Sequence, residues 1–300
     1  MRFLPYARLL RLPNVFTAFA DILLGTIAAA TVQSNPVGAI ALLLASGCLY
    51  CAGMVWNDYF DFAEDKGERP FRPLPAGQIS RSTAFRLGSA LLALGVALAL
   101  AAGYTPGSYL VWPGLFAFAI AAAVLLYNGW LKATLLGPLA MAACRFLNVL
   151  LGLSLATAAD APWLLRLHLA SIVGLYIIGV TWFARQEAGR SRPAQLIGAT
   201  TFVVLALLLA LVLPLYRSPG SVIPVFPYLL VLFGFYLGIP AYRAIRQPEP
   251  KHVQAAVKRA ILGLVLLDAI LCTAEAGWWG LLIILLLPPA LLLGKWVYST

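Results

Sequence analysis

Residues 37–56 read VGAIALLLASGCLYCAGMVW, and the chain continues as Asn57-Asp58-Tyr59-Phe60-Asp61-Phe62-Ala63-Glu64-Asp65. The first stretch carries no charge, and at a rise of about 1.5 Å per residue it is long enough to cross the hydrocarbon core of a bilayer as a helix. The second stretch sets aspartates at i, i+3 and i+7. A helix continuing past Trp56 therefore carries Asp58, Asp61 and Asp65 on one face, with Asn57 and Glu64 on or near it. Like charges at these spacings repel, and the C-terminal end of a helix already disfavours anions. An arrangement unfavourable on both counts calls for a cation. Clustered carboxylates with an amide oxygen suit a hard ion, Mg²⁺ above all, which keeps several waters and bridges to phosphate. The competing reading is a solvated acidic loop between two membrane helices.

Apolar runs of similar length recur near 13–31, 37–56, 83–103, 109–127, 135–157, 164–184, 195–215, 222–245, 256–274 and 278–297. With 62% hydrophobic and 11% charged residues and a mean hydropathy of +0.90, a water-soluble domain is excluded. Backbone groups in lipid must be paired within the protein, so the runs are helices, and they lack the alternation of barrel strands. The expectation is an all-α integral membrane protein: one domain over 1–300, a bundle of about nine or ten transmembrane helices. Asp268 interrupts the ninth run and Pro288-Pro289 the tenth.

The cations are unevenly placed. Arg2, Arg8 and Arg11 precede the first run, Lys66, Arg69, Arg72 and Arg81 fill the second connection, and Lys132 lies in the fourth. Arg185, Arg190 and Arg192 lie in the sixth, and Arg243, Arg246, Lys251, Lys258 and Arg259 in or beside the eighth. Odd connections hold little beyond Arg217, with Arg166 close by. The positive-inside rule then places the N-terminus and every even connection in the cytoplasm. The net charge of +10 reads as topology and gives no reason to expect a nucleic-acid partner. No small-residue cleavage pattern precedes the first run, which is expected to be retained as a span. Cys48 and Cys51 are spaced C-x-x-C, but inside an apolar run and without a second ligand pair, so they read as packing. His168 and His252 are isolated.

The longest polar stretch follows the acidic run and includes Lys66-Gly67-Glu68-Arg69-Pro70-Phe71-Arg72-Pro73-Leu74-Pro75-Ala76-Gly77. Its glycine and prolines bar a regular helix. Cations within reach of aspartates are either membrane anchors or one half of an anion site; metal on one side and arginine on the other is how proteins clamp a diphosphate. Two further polar elements close spans on the same side. Tyr127-Asn128-Gly129-Trp130-Leu131-Lys132 ends the fourth, and Thr181-Trp182-Phe183-Ala184-Arg185-Gln186-Glu187-Ala188-Gly189-Arg190-Ser191 ends the sixth. Convergence of three such ends on one side points to a single phosphate-handling site.

N-D-x-x-D-x-x-x-D followed by R-P-x-R-P-L-P-x-G resembles the first aspartate motif and adjoining loop of the UbiA superfamily of intramembrane prenyltransferases. Y-N-x-x-L-K resembles the element after that family's fourth helix, and Arg11, Pro13 and Asn14 suit its N-terminal helix. The resemblance implies a bundle of roughly nine transmembrane helices around a central cavity that opens laterally to lipid. Asp58, Asp61 and Asp65, with Asn57, would bind Mg²⁺ and the diphosphate of a polyprenyl donor. Arg69, Arg72 and Lys132 would hold the phosphates, and Asn14, Tyr127 and Asn128 would line the substrate site. One departure stands out. The family's second motif is D-x-x-x-D before a glycine that Gly189 matches, and here Thr181 and Arg185 stand where the aspartates belong. Either Glu187 substitutes as a ligand, or Arg185 replaces a second metal with fixed charge, or catalysis is lost. The departure suggests a divergent branch, with the EboC-like group as the candidate.

The implied reaction is ionisation of an allylic C–O bond and prenyl transfer to a small lipophilic acceptor, aromatic or a lipid alcohol. Metal and cations stabilise the diphosphate charge, and water must be excluded. Trp56, Tyr59, Phe60, Tyr127, Trp130 and Trp182 are either aromatic faces for the cation or an interfacial belt. The competing functions are a non-catalytic prenyl-diphosphate binder and a transporter with an acidic ion site. Transporter sites lie near the bilayer midplane at broken helices, whereas these acids sit at helix ends beside a basic loop.

Overall fold

The computed structural model describes residues 3–105, 111–187, 189–216 and 223–298. Arg217, the start of the fourth run and Ala188 of the sixth connection fall outside these. The chain is all helical. Short α1 (Leu4–Leu9) leads through a tight turn at Leu12–Asn14 into α2 (Val15–Ala28) and the single turn α3 (Thr31–Ser34). There follow α4 (Pro36–Phe60), α5 (Phe62–Glu68), α6 (Arg81–Gly103), α7 (Trp112–Leu126), α8 (Gly137–Gly152), α9 (Trp163–Ala184) and α10 (Pro193–Ala210). The chain closes with α11 (Phe226–Arg246), α12 (Pro250–Ala276), tight helical turns over Gly277–Leu286, and α13 (Leu287–Tyr298).

Among the described residues, seven helical stretches are long and apolar enough to cross a membrane, and Leu12–Ala28 and Gly137–Gly152 are shorter apolar helices. Phe118, Phe235 and Leu292, each about two-thirds exposed, turn apolar faces outward. A water-soluble surface would bury them; a lipid-facing one does not need to. The chain is a multi-pass integral membrane protein.

The interrupted runs resolve on chemistry. α12 continues straight through Asp268, which is fully buried among other helices. It ends at Gly277, whose φ of +63° is open to glycine. Pro288 and Pro289 fall in the first turn of α13, where a missing N–H costs nothing. Pro193 and Pro250 open α10 and α12 in the same way.

The core is built around α2 and α8, the two short apolar helices, packed between α4, α9 and α12. α2 and α8 cross on glycines: a Cβ on Gly25 would stand 2.5 Å from the Gly152 carbonyl carbon, and one on Gly152 would stand 2.9 Å from the Ile22 carbonyl oxygen. Without a hydrophobic drive between helices in lipid, such backbone contact is what holds a pair together. One turn toward the site from this crossing lie Asp21 on α2 and Asn148 on α8. We predict that Gly25→Leu costs about 1–3 kcal/mol through overpacking, read as lowered thermostability of the detergent-solubilised protein. Gly67→Ala, which meets nothing within 4 Å, should leave thermostability unchanged.

Candidate active site

The acidic run does not continue as one helix. α4 ends at Phe60 and α5 starts at Phe62, with Asp61 between them at φ −80°, ψ 0°. The Asp61 N–H still donates to the Asn57 carbonyl at 3.0 Å, and the Asp65 N–H to the Asp61 carbonyl at 2.8 Å. The break is thus a bend, and it changes the electrostatics. Glu64 and Asp65 fall in the first turn of α5, where the dipole favours anions. The helix also carries Lys66, Gly67 and Glu68, one turn beyond where glycine and the prolines were expected to stop it.

The bend divides the aspartates. Asp58 is 3% exposed and Asp65 is fully buried, and neither lines the central cavity; Asn57, Asp61 and Glu64 do. Arg72 Nη1 bridges the buried pair, 3.5 Å from Asp58 Oδ1 and 2.6 Å from Asp65 Oδ2, and Arg69 approaches Asp65 at 3.6 Å. Arg11 Nη2 donates to Asn57 Oδ1 at 2.9 Å and to Asp58 Oδ1 at 3.1 Å. It does so from a left-handed backbone, φ +45°, a costly conformation for a side chain with a Cβ and a frequent mark of functional sites.

After α7 the chain widens into one π-helical turn, Tyr127–Leu131, closed by the Lys132 N–H on the Tyr127 carbonyl. Such turns are frequent at functional sites. This one sets Lys132 against Asp61 as an ion pair. Burial pushes the Lys132 ammonium below the ordinary lysine range, and Arg11 acts in the same direction. Asn128 is buried; its amide donates to the Gly53 and Val124 carbonyls, and its oxygen accepts from Asn57 Nδ2 at 3.2 Å. It holds Asn57 in place from behind. Tyr127 and Asn14 line the cavity.

Arg185 lies at the exposed C-terminal end of α9 and donates to the Ala133 carbonyl at 3.2 Å, one residue from Lys132. The charge facing Glu187 is Arg69, and burial raises the Glu187 carboxyl against that attraction. Thr181, Arg185 and Glu187 all line the cavity, which has a volume of about 830 Å³. The sequence-expected residues that meet there are therefore Asn14, Asn57, Asp61, Arg69, Arg72, Tyr127, Asn128, Lys132, Arg185 and Glu187, with Asp58 and Asp65 held behind the wall.

The aromatics sort differently from expectation. Trp56, Tyr59 and Phe60 pack with one another, and Phe85 of α6 closes on the first two. Trp182 stacks edge-on to Phe202, and Trp130 is exposed. Of the six only Tyr127 lines the cavity, joined by Tyr50, which the sequence did not single out. Sequence reasoning also missed Arg11 as a direct partner of Asn57 and Asp58. Deeper in the same cavity it missed Thr17, Ser46, Arg145 and Asn148; the signal was there, as lone polar residues inside apolar runs.

At and behind the mouth, Arg11, Arg69, Arg72, Lys132 and Arg185 are matched in number by Asp58, Asp61, Glu64, Asp65 and Glu187, so it is close to electroneutral; Arg11, Arg69, Arg72 and Lys132 are ion-paired with the aspartates, and Arg185 bonds the Ala133 carbonyl. Among the described residues no three acidic, His or Cys side chains close into a metal cage. Asn57 and Asp61 offer hard oxygens at the cavity edge, which fits Mg²⁺ held by one or two protein oxygens plus phosphate. A charged mouth over an intramembrane cavity defines a membrane enzyme or binder of amphipathic anions. The UbiA prenyltransferase family profile matches residues 18–262, and the chain belongs to that family. It is 29% identical to the digeranylgeranylglyceryl phosphate synthase of Ignicoccus hospitalis over 88% of this chain and 89% of that protein. A shorter match, 28% identical over 57% of this chain and 58% of the other, is to the enzyme of the same name from Saccharolobus solfataricus. A solved structure concerned with digeranylgeranylglyceryl phosphate synthase superposes with a TM-score of 0.66 at 20% identity over 92% of this chain and 99% of the other. A UbiA homologue from Archaeoglobus fulgidus, bound to GPP and Mg²⁺, gives 0.61 at 17% identity over 87% and 99%.

The division of the aspartates yields a prediction. Asp65→Asn leaves Arg72 and Arg69 without a full counter-charge and lowers thermostability, on the scale of about 3–5 kcal/mol for a broken buried pair. Asp61→Asn leaves thermostability near wild type and removes Mg²⁺-dependent binding of an unreactive prenyl diphosphate analogue. Thermal unfolding and analogue titration on both variants check this; equal behaviour of the two would show that the bend does not separate their roles.

Proposed function

We propose that this prenyltransferase takes a polyprenyl diphosphate at the mouth formed by α4, α5, the loop after α5 and the turn after α7, and transfers the prenyl group to a small lipophilic acceptor inside the membrane. The observation carrying this reading is continuity. One cavity joins the charged mouth to the apolar walls of Leu49, Ile120, Val124, Ile177, Val180 and Leu264. A diphosphate fits the first part and an isoprenoid the second.

The chain's residues act as follows. Arg69, Arg72, Lys132 and Arg185 supply donors to phosphate oxygens, arginine with its bidentate fork. The bond from the first prenyl carbon to the diphosphate oxygen breaks, its electron pair leaving on the diphosphate. The acceptor atom bonds to that carbon, and its proton leaves with the diphosphate through the mouth. Apolar walls exclude water from the allylic cation. Because the mouth is near electroneutral, an incoming diphosphate brings uncompensated negative charge. Mg²⁺ held by Asn57 and Asp61 would supply the balance and stabilise charge on the leaving group. Several relatives and two neighbouring structures support this reading through their names: the relatives are digeranylgeranylglyceryl phosphate synthases, and the Archaeoglobus fulgidus homologue binds GPP or DMAPP with Mg²⁺.

Thr181 has no charge to bring a second cation, and Arg185 carries one permanently. Arg185 accordingly replaces part of the metal requirement. Arg185→Ala should cost at least ~2 kcal/mol in transition-state stabilisation, the scale of one lost oxyanion contact. It should also steepen the Mg²⁺ dependence of turnover. Assay with labelled prenyl diphosphates and candidate acceptors reads both. If Arg185→Asp exceeds wild type, arginine is a degraded ligand position; if wild type binds diphosphate but forms no product with any acceptor, the protein only binds.

The charge asymmetry supports a cytoplasmic mouth and N-terminus. Ser80 is exposed at the start of α6 and Gly189 is exposed after α9, whereas Ser191 is buried. Single cysteines at Ser80 and Gly189 in a cysteine-free background should be modified only from the cytoplasmic side. Modification of either from the opposite side would reverse the orientation.

A further inference from the structure

The cavity has a second polar pole. Asn57 to Tyr50 is seven residues of α4, so the pole lies about 10 Å below the mouth by helix rise. There Thr17, Ser46, Tyr50, Arg145 and Asn148 line the wall. Behind them sit Asp21 and Asp268, both fully buried. Arg145 donates from Nη1 to Asp21 Oδ2 at 3.0 Å and from Nη2 to Thr17 Oγ1 at 2.6 Å. Its guanidinium also faces the Tyr50 ring at 5.5 Å. Asn148 Nδ2 donates to Asp21 Oδ2 at 2.8 Å and to the Ala18 carbonyl at 3.0 Å, and Ser46 Oγ donates to Asn148 Oδ1 at 2.8 Å. Asp268 is on α12, one turn beyond Leu264, which lines the cavity. Neither Asp268 oxygen receives a hydrogen bond from a nitrogen or hydroxyl among the described residues.

Charged groups inside a membrane protein are costly and mark function. This cluster differs from the mouth in two ways that define a ligand. Arg145, the guanidinium of this pole, is already paired with the buried Asp21 carboxylate at 3.0 Å, so no positive charge is left over for a phosphate or a carboxylate, whose burial here would go uncompensated. The cavity face also mixes types. Arg145 has spent two of its five N–H donors, while Ser46 Oγ and Asn148 Oδ1 keep lone pairs. A hydroxyl, which both donates and accepts, satisfies such a face; an anion, which only accepts, meets oxygen lone pairs on one side.

We propose that this pole binds a neutral, hydroxyl-rich head group, and that the acceptor of prenyl transfer is a polyol-type alcohol without a phosphate or carboxylate on the part held here. Asp21 is the positioning residue that fixes Arg145. A small polyol on this floor presents an upper hydroxyl toward the carbon leaving the diphosphate. The inference rests on the transfer reading above and names its acceptor class.

The test uses the full-length protein in lipid nanodiscs with neither Mg²⁺ nor prenyl diphosphate present, so that the donor reading is not being measured. Binding of 1-O-decylglycerol, 1-decanol and decyl phosphate is compared. Decylglycerol is expected to bind at least ~10-fold more tightly than either of the others, since buried polar groups reject a ligand that leaves them unpaired. Ser46→Ala and Arg145→Lys should each erase most of that preference while leaving decanol binding unchanged, and Asp61→Asn should leave it intact. Decyl phosphate binding as tightly as decylglycerol, decanol matching it, or preference surviving in both Ser46→Ala and Arg145→Lys would each overturn the proposal. Ser46→Ala is included because Arg145 variants can fail to fold. Separate loss of analogue binding in Asp61→Asn concerns the donor site alone, so the two readings fail independently.

Discussion

Arg72 connects Asp58 at the end of α4 to Asp65 in α5, and the shape of the mouth depends on that bridge. Both carboxylates are buried, and a buried carboxylate without a partner is among the most destabilising groups a protein can hold. The counter-charge comes from the proline-rich loop, which therefore folds back over the helix ends that it follows. Such a bridge adds little net stability compared with apolar residues of similar size; its effect is geometric. It fixes the bend at Asp61, and the bend turns Asp61 alone among the aspartates into the cavity, where Lys132 meets it. What reads as a row of equivalent ligands is one accessible carboxylate on a scaffold made from the other two.

The class of fold was legible because lipid leaves so few options. Backbone pairing and helix length translate directly into runs of apolar residues, and the first nine expected runs fall on helices, whereas the tenth divides into the tight turns Gly277–Leu286 and the 12-residue α13. The site was legible in membership and less so in arrangement. Spacing rules assume an unbroken helix, and nothing in the apolar pattern marks Asp61 as a break; the Arg72 contacts that span the bend, to Asp58 on one side and Asp65 on the other, belong to the tertiary fold. The role of Arg11 was hidden in the same way, since before the first span it looks like any topological anchor. The aromatic residues were harder still: a tryptophan at a helix end has the same sequence appearance whether it faces a cavity or, like Trp56, fills a gap over Gly88.

The deep pole was the least legible part, for a definite reason. Its hydrogen bonds join residues more than a hundred positions apart: Arg145 and Asn148 to Asp21, and Ser46 to Asn148. A single sequence shows only isolated polar residues in apolar helices, and Asp268 looked merely like an interruption. The one local clue is the glycine pair Gly25 and Gly152. These let α2 and α8 touch by their backbones, and one turn along from that contact Asp21 and Asn148 have to face each other.

The two poles together constrain the reaction more than either does alone. A charged mouth admits many amphipathic anions, and a polar group in the bilayer interior admits many roles. Joined in one cavity, they support one order of groups along it in the reading proposed above: phosphate at the top, neutral hydroxyls at the floor, and between them a segment walled by Leu49, Ile120, Val124, Ile177 and Val180. On that reading the isoprenoid would lie along this segment, with its first carbon at the mouth end where the diphosphate is held. The poles differ in charge balance as well. At the mouth Lys132 pairs with the partly exposed Asp61 and Arg185 bonds a carbonyl, so both can turn to a phosphate while Arg72 stays on its buried aspartates; at the floor Arg145 is held by the fully buried Asp21 and cannot. On the proposed reading a phosphorylated group would be directed to the top and a neutral alcohol to the bottom, so the electrostatics that fold the protein would also set which end of each substrate meets the other.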